Sequence, residues 1–208
     1  LLHLREAGIE EAIIITGFGA NLVEAEIALH AIPGLNVRTI YNPFFALADN
    51  LASCWVARSE FDRTTLLLNG DTLFETEIAR RLIGAPPAKI TLAVDRKEAY
   101  DSDDMKVLAE GSKLMSVGKH IASYNAESIG FMRFSKDGAA MFAQAVEAAM
   151  RRPEGLKRWY LSVIDHLAVE TGEVAIQPID GLEWGETDFL EDVQGNIELT
   201  ARWAAKAR

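Results

Sequence analysis

Short apolar runs recur along the chain, separated by longer segments that mix apolar and charged positions. Glu11–Gly17 carries Ile13, Ile14 and Ile15 in an unbroken β-branched run closed by glycine, the pattern of a strand buried on both faces. Asn36–Tyr41, Thr64–Leu68 and Lys89–Val94 repeat it, the first closed by the turn signal Asn42-Pro43. Between them, residues 19–29, 48–58 and 75–83 have helical character, with Leu51, Trp55 and Val56 forming one apolar face. Strand and helix alternating in this order predict βαβ units, a largely parallel sheet and right-handed crossovers.

The pattern changes after residue 100. An acidic loop leads into Met105–Leu108 and Leu114–Val117, joined around Gly111, which predicts a small antiparallel hairpin beside the main sheet. Ser128–Phe134 reads as a strand, residues 135–151 and 156–170 as helices, Glu173–Gln177 as a strand and residues 189–205 as a closing helix. The chain opens with the second half of an amphipathic helix that ends at Gly8. The expected fold is α/β, three layers in α/β/α order, with a mostly parallel sheet and a small antiparallel insertion. Residues 1–208 are expected to form a single domain.

Composition changes this picture mainly by exclusion. With 31 acidic and 21 basic residues, the formal charge of −10 argues against nucleic acid or an anionic membrane as the main partner. A small anionic substrate remains compatible, because local lysines and a metal ion can neutralise it. Cys54 is the single cysteine, so no intrachain disulfide can form; a reducing, cytoplasmic setting and a buried structural thiol are expected. No apolar run approaches the ~20 residues of a membrane-spanning helix, so no membrane insertion is expected.

The candidate chemistry lies in two acidic motifs far apart in sequence. Leu66-Leu67-Leu68-Asn69-Gly70-Asp71 is an apolar strand that stops at a carboxylate, the position where open α/β sheets bind ligands. Trp184-Gly185-Glu186-Thr187-Asp188 is followed by Glu191 and Asp192. Together they offer the one or two carboxylates that Mg²⁺ takes, with phosphate and water completing its shell. Each also has a plain reading, Asp71 as a cap for the helix near Glu75 and Asp188 as the cap of the last helix, with Glu191 in its capping box.

Lys106 and Lys119 flank the hairpin and offer two ammonium groups for a phosphate, or are solvated edge lysines. Asn50 and Ser53 suit the polar edges of a nucleotide, or cap a helix. Glu127, opening the strand at Ser128, offers a carboxylate to a substrate amine or hydroxyl. Tyr124, Trp159, Tyr160 and Trp184 are candidates for a cage around a quaternary ammonium, or for core packing. The four histidines show no metal-ligand spacing.

Taken in order, these segments resemble the sugar-phosphate nucleotidyltransferase superfamily, especially its cytidylyltransferases acting on phosphocholine, aminoethylphosphonate or inositol phosphate. The matching pieces are Gly8-Ile9 with Ile13–Gly17, Asn42-Pro43 with Asp49-Asn50 and Ser53, Leu67–Asp71, Asp104–Val107, Gly118-Lys119, Glu127–Gly130, and Trp184–Asp188 with Asp192. The resemblance implies a Rossmann-like fold and attack of a substrate phosphate on the α-phosphorus of a nucleoside triphosphate, CTP by preference, with release of pyrophosphate. It implies that Asp71 and Asp188, with Glu186 beside them, hold Mg²⁺. Lys119 and Lys106 would face the acceptor phosphate, Asn50, Ser53 and Gly70 the nucleotide, and Glu127 and Trp184 the acceptor.

One departure stands out. The superfamily's first strand and its glycine- and arginine-bearing triphosphate loop have no counterpart in residues 1–208, and that strand sits centrally in the family's sheet. The 208 residues are therefore expected to be a piece of a longer polypeptide, with unpaired strand edges where the strand is lacking. A catalytically inactive relative serving as a regulator or scaffold is the alternative expectation. A glycosyltransferase is disfavoured, because Asn69-Gly70-Asp71 has no Asp-x-Asp pair.

Overall fold

The computed structural model describes residues 1–206. Its elements are α1 (Leu2–Glu6), β1 (Glu11–Thr16), α2 (Ala20–Leu29), β2 (Asn36–Tyr41), α3 (Asn50–Val56), β3 (Thr65–Leu68), β4 (Thr72–Phe74), α4 (Thr76–Gly84) and β5 (Ile90–Asp95). The chain continues through β6 (Lys106–Glu110), β7 (Lys113–Gly118), β8 (Ala126–Phe134), α5 (Lys136–Met150), α6 (Leu161–Thr171), β9 (Val174–Pro178), β10 (Trp184–Glu186) and α7 (Leu190–Lys206).

Six strands form the main sheet in the order β3-β8-β5-β9-β7-β6. Side chains of alternating strand positions divide between two apolar clusters, as the pleat requires. Leu67, Leu92, Met132 and Phe134 face one cluster with Phe142 of α5 and Ile164 of α6. Leu66, Leu68, Ala93, Ile129 and Phe131 face the other, closed by Ile78 and Leu82 of α4. The α/β architecture is the Rossmann-like, three-layer arrangement that the sequence pattern predicts, and β6–β7 form the expected antiparallel hairpin.

Three details differ from the pattern-based expectation. First, β8 runs antiparallel between β3 and β5, so β5–β9 is the one parallel ladder among the described strands of this sheet, although β3, β5 and β9 share a direction. Apolar content tells that a strand is buried but not which way it runs. Second, the helix expected from residue 156 begins at Leu161. Residues 156–160 are diverted to α3: Leu156 and Arg158 accept hydrogen bonds from the backbone N–H groups of Asp49 and Leu51, and Tyr160 N–H donates to Asn50 Oδ1. Third, β4 and β10 are three-residue strands, too short to leave a periodic signal, and they pair antiparallel with Glu186 opposite Thr72.

The β1–β2 ladder is parallel and stands apart from the six-stranded sheet. β1 pairs with β2 alone and β3 with β8 alone, so each keeps one edge without a ladder partner among the described residues. Between them lies a cavity of about 1410 Å³.

Candidate active site

The turn after β3 is held rigidly. Asn69 N–H donates to the Gly130 carbonyl at 2.9 Å, and Asn69 Oδ1 accepts from the buried Tyr160 hydroxyl at 2.7 Å. Gly130, at φ 67°, makes room for this: a Cβ there would stand 2.4 Å from Asn69 Nδ2. Burial lifts the Tyr160 phenol well above its ordinary pKa, with the charges of Cys54, Asp71 and Glu186 adding to it. Tyr160 therefore acts as a fixed donor to Asn69.

The turn delivers Asp71 to the second acidic motif. Antiparallel β4–β10 pairing continues past the strand ends, where Thr187 N–H donates to the Asp71 carbonyl at 3.1 Å. Asn196 of α7 braces this segment, donating to the Glu186 carbonyl and to Thr187 Oγ1 at 2.8 Å each. Gly185 allows that approach, because a Cβ there would meet Asn196 Oδ1 at 2.6 Å. Two motifs more than a hundred residues apart thus become neighbours through a ladder that periodicity did not reveal.

The plain capping readings do not describe these carboxylates. Glu75 occupies the N-cap of α4, with β4 between it and Asp71. At α7 the capping carboxylate is Asp192, whose Oδ2 accepts from the backbone N–H groups of Asp188 and Phe189 at 2.9 and 2.8 Å. Asp188 itself is exposed.

Charge crowding follows. Burial raises the pKa of Asp71, and Asp188 adds to the rise. Burial also pushes Glu186 up to about 7, reinforced by the charges of Asp188, Asp71, Glu127 and Asp104. Lys97 balances Glu127 and Asp104, while the charge of Asp188 raises Asp71 and the charges of both raise Glu186, a grouping that suits a hard cation. Among the described residues, no three His, Cys, Asp or Glu side chains are arranged to hold a metal by themselves. Asp71 and Asp188 offer the one or two carboxylates that a hard cation such as Mg²⁺ takes alongside phosphate and water.

Asn50, Ser53, Gly70 and Asp71 border the 1410 Å³ cavity together with Tyr160. Asn50 Oδ1 holds Tyr160 N–H at 3.0 Å and Ser53 Oγ accepts from Asn42 Nδ2 at 3.2 Å, so both side chains also brace the fold. Cys54 is buried and its thiol pushed up to about 12 by burial, an inert packing group.

The hairpin side carries the remaining candidates. Lys106 is buried, donates to the Asp101 carbonyl at 2.6 Å and lies 5.6 Å from the Tyr124 ring centre. Lys119 sits 4.9 Å from the Trp159 ring centre and 3.8 Å from Asp103. Glu127 is 3% exposed; its Oε2 meets Lys97 Nζ at 2.9 Å, while Oε1 has no partner among the described residues. Lys97 also reaches Asp104 at 2.9 Å. Burial drives Glu127 up to about 7 against the pull of Lys97.

The four aromatic candidates are dispersed in function. Tyr160 serves Asn69, Tyr124 packs edge-on against Tyr100 at 5.3 Å, Trp159 lies under Lys119, and Trp184 Nε1 donates to Asp95 Oδ2 at 2.8 Å. Lys97 and Asp95 are neighbours of these candidates that the sequence reading passed over, while Asp104 entered it only as part of the Asp104–Val107 segment. Asp95-Arg96-Lys97 ends an apolar strand, the same signal that singled out Asp71.

No protein-family model matches this sequence. The chain is 25% identical over 196 residues to the CMP-5′-(3-aminopropyl)phosphonate synthase of Streptomyces rubellomurinus (strain ATCC 31215). That match covers 89% of this chain and 31% of the relative, so the chain spans about a third of the relative's length. Among solved structures, the inositol-1-phosphate CTP transferase from T. maritima superposes with a TM-score of 0.79 at 19% identity, over 97% of this chain and 80% of that one. The CTP:phosphocholine cytidylyltransferase from Streptococcus pneumoniae superposes with a TM-score of 0.73 at 17% identity, over 96% and 82%. The chain thus has the fold of these nucleotidyltransferases, with a distant sequence likeness to a CMP-phosphonate synthase.

Proposed function

We propose that this chain carries the metal and acceptor half of a Mg²⁺-dependent cytidylyltransferase site. Its acceptor is a small phosphate or phosphonate, with 3-aminopropylphosphonate and phosphocholine the first two to try. The observation that supports this most is the β4–β10 ladder, which joins the Asp71 and Asp188 motifs at the end of the cavity. The similarity to a CMP-phosphonate synthase points the same way.

In this reading Asp71 and Asp188 hold Mg²⁺, with Glu186 beside them. Bound there, the ion neutralises charge on the phosphate oxygens. Asn50, Ser53 and Gly70 line the nucleotide side. Lys119 and Lys106 steady the acceptor's phosphorus group, and Glu127 and Trp184 lie on the acceptor side. An acceptor oxygen attacks the α-phosphorus in line; the new P–O bond forms as the bond to the β-phosphate breaks, and pyrophosphate leaves. Such a displacement needs positioning and charge neutralisation more than covalent help, which is what these residues supply.

We further propose that residues 1–208 belong to one nucleotidyltransferase domain whose triphosphate loop lies outside them. The single buried cysteine agrees with a reducing, cytoplasmic setting, and no helix among the described residues is long and apolar enough to cross a membrane.

The test uses a polypeptide that carries the triphosphate loop together with these residues: Mg²⁺-dependent binding of CTP by calorimetry, followed by pyrophosphate release with an acceptor panel. The reading expects both, with release depending on acceptor and weakened by Asp71→Asn. Binding without release for any acceptor favours the inactive regulator. Absence of Mg²⁺-dependent CTP binding removes the nucleotidyltransferase reading altogether.

A further inference from the structure

Lys97 lies in the irregular stretch of residues 96–105 between β5 and β6. Its ammonium meets Glu127 Oε2 and Asp104 Oδ2 at 2.9 Å each, the short geometry of an ammonium shared by two carboxylates. The acids are held more firmly than the lysine. Glu127 is fixed on β8, opposite Asp95 of β5 on one edge and Lys106 of β6 on the other. Asp104 is held beside it, because the Met105 carbonyl accepts from Ser128 N–H of β8 at 2.8 Å. The Lys97 side chain is 34% exposed, and its backbone belongs to no helix or strand. The pocket is rigid and its occupant is on a tether.

One lysine does not satisfy this pocket. Glu127 is 3% exposed, and its Oε1 has no hydrogen-bond partner among the described residues. Burial holds its carboxyl up at about 7 although Lys97 pulls it down. A buried acceptor atom without a donor is uncommon, and it leaves a place for a donor from outside. The pocket also adjoins the rest of the site. The charges of Glu127 and Asp104 both bear on Glu186, beside Asp71 and Asp188. Lys106 is the ladder partner of Glu127, and Lys119 lies 3.8 Å from Asp103. Trp184, at the start of β10, donates to Asp95 Oδ2 and ties the pocket to the strand that carries Glu186.

We infer that Lys97 is a built-in stand-in for the cationic end of the acceptor, and that the acceptor carries a primary ammonium which displaces it from Glu127 and Asp104. The inference rests on the acceptor side proposed above. A primary ammonium reproduces the hydrogen bonds of Lys97 and, free of the tether, has a third N–H for Glu127 Oε1. A hydroxyl brings one donor and no charge, leaving two carboxylates unbalanced once Lys97 departs. A trimethylammonium brings charge without N–H and needs aromatic faces around it, whereas the aromatic candidates here serve separate partners. Lys97 thereby sets specificity, because an acceptor gains the pocket only by replacing both of its hydrogen bonds.

The test uses the loop-bearing polypeptide without nucleotide, so that binding alone is read. 3-Aminopropylphosphonate and 3-hydroxypropylphosphonate, which differ at the cationic end only, are titrated by calorimetry into the wild type and into Lys97→Met. Removing the internal competitor is expected to tighten 3-aminopropylphosphonate by about tenfold or more, since its site no longer has to be vacated, and to change the hydroxyl compound far less. In the wild type, the side-chain nitrogen NMR signal of Lys97, identified by its loss in Lys97→Arg, is expected to disappear as the amine is added and to persist with the hydroxyl compound. Weaker binding of the amine by Lys97→Met, or equal tightening of both compounds, overturns the inference. So does absence of amine binding, or a Lys97 signal that survives saturation; this last reading decides alone if Lys97→Met does not fold. CTP binding by the same polypeptide is measured separately, so loss of the transferase reading is distinguished from loss of this one.

Discussion

β5 with β8, and β1 with β3, are built from the same kind of sequence and end in different states. Ile90–Val94 is buried throughout, and β8 is buried at eight of its nine positions. Ile13–Ile15 and Leu66–Leu68 are no less apolar and remain half-buried. Composition does not separate them; neighbours do. β5 has a ladder on each edge, whereas β1 and β3 have one each. An apolar run becomes core when its edges and faces are occupied, so the half-buried isoleucine and leucine runs of β1 and β3 go with a single ladder partner each among the described residues.

The largest expected contrast is in stability. Phe131→Ala, at a position with no exposure, should destabilise by about 3–5 kcal/mol in chemical denaturation. Ile14→Ala, on the half-buried strand, should cost about 1 kcal/mol, since most of its cavity already exists. Equal losses would break the comparison.

Asp71→Asn tests the catalytic end of the same groove. It should lower Mg²⁺-dependent pyrophosphate release by about 100-fold or more while leaving the unfolding midpoint nearly unchanged. Loss of fold instead of activity would make Asp71 structural. Gly185→Ala should act more gently, displacing Asn196 from β10 and destabilising by about 1–3 kcal/mol, with weakened Mg²⁺ dependence because the Asp188 segment shifts.

The smallest effect is a pH dependence. Burial raises Glu127 and Glu186 to about 7 in the folded chain, above their unfolded values near 4.5. Between those values the native state holds more protons than the unfolded state, so stability falls as pH rises from about 4.5 to about 7. Glu127→Gln should flatten part of that decline in thermal melts across this window, and an unaltered slope would assign the decline to other groups.

Much of the fold was legible because core strands leave unbroken β-branched runs and helices leave a repeating apolar face. The acidic motifs were legible as carboxylates ending such runs. What joins them was not: β4 and β10 are too short to show a period, and their pairing is braced by Asn196 from α7, which Gly185 of β10 lets approach. The direction of β8 was equally hidden, since a strand buried on both faces reads the same either way. Lys97 was missed because its partners, Glu127 and Asp104, come from segments that only the fold brings to it.

The most direct measurement is residue-resolved amide exchange in the free protein. Along a strand, successive residues direct their backbone groups to opposite edges, so a strand with one open edge protects every second amide. The account predicts alternating slow and fast exchange across Glu11–Thr16, differing by about 100-fold, and uniformly slow exchange across Ile90–Val94. Uniform protection along β1 would contradict it, showing that the edge facing the cavity is already paired.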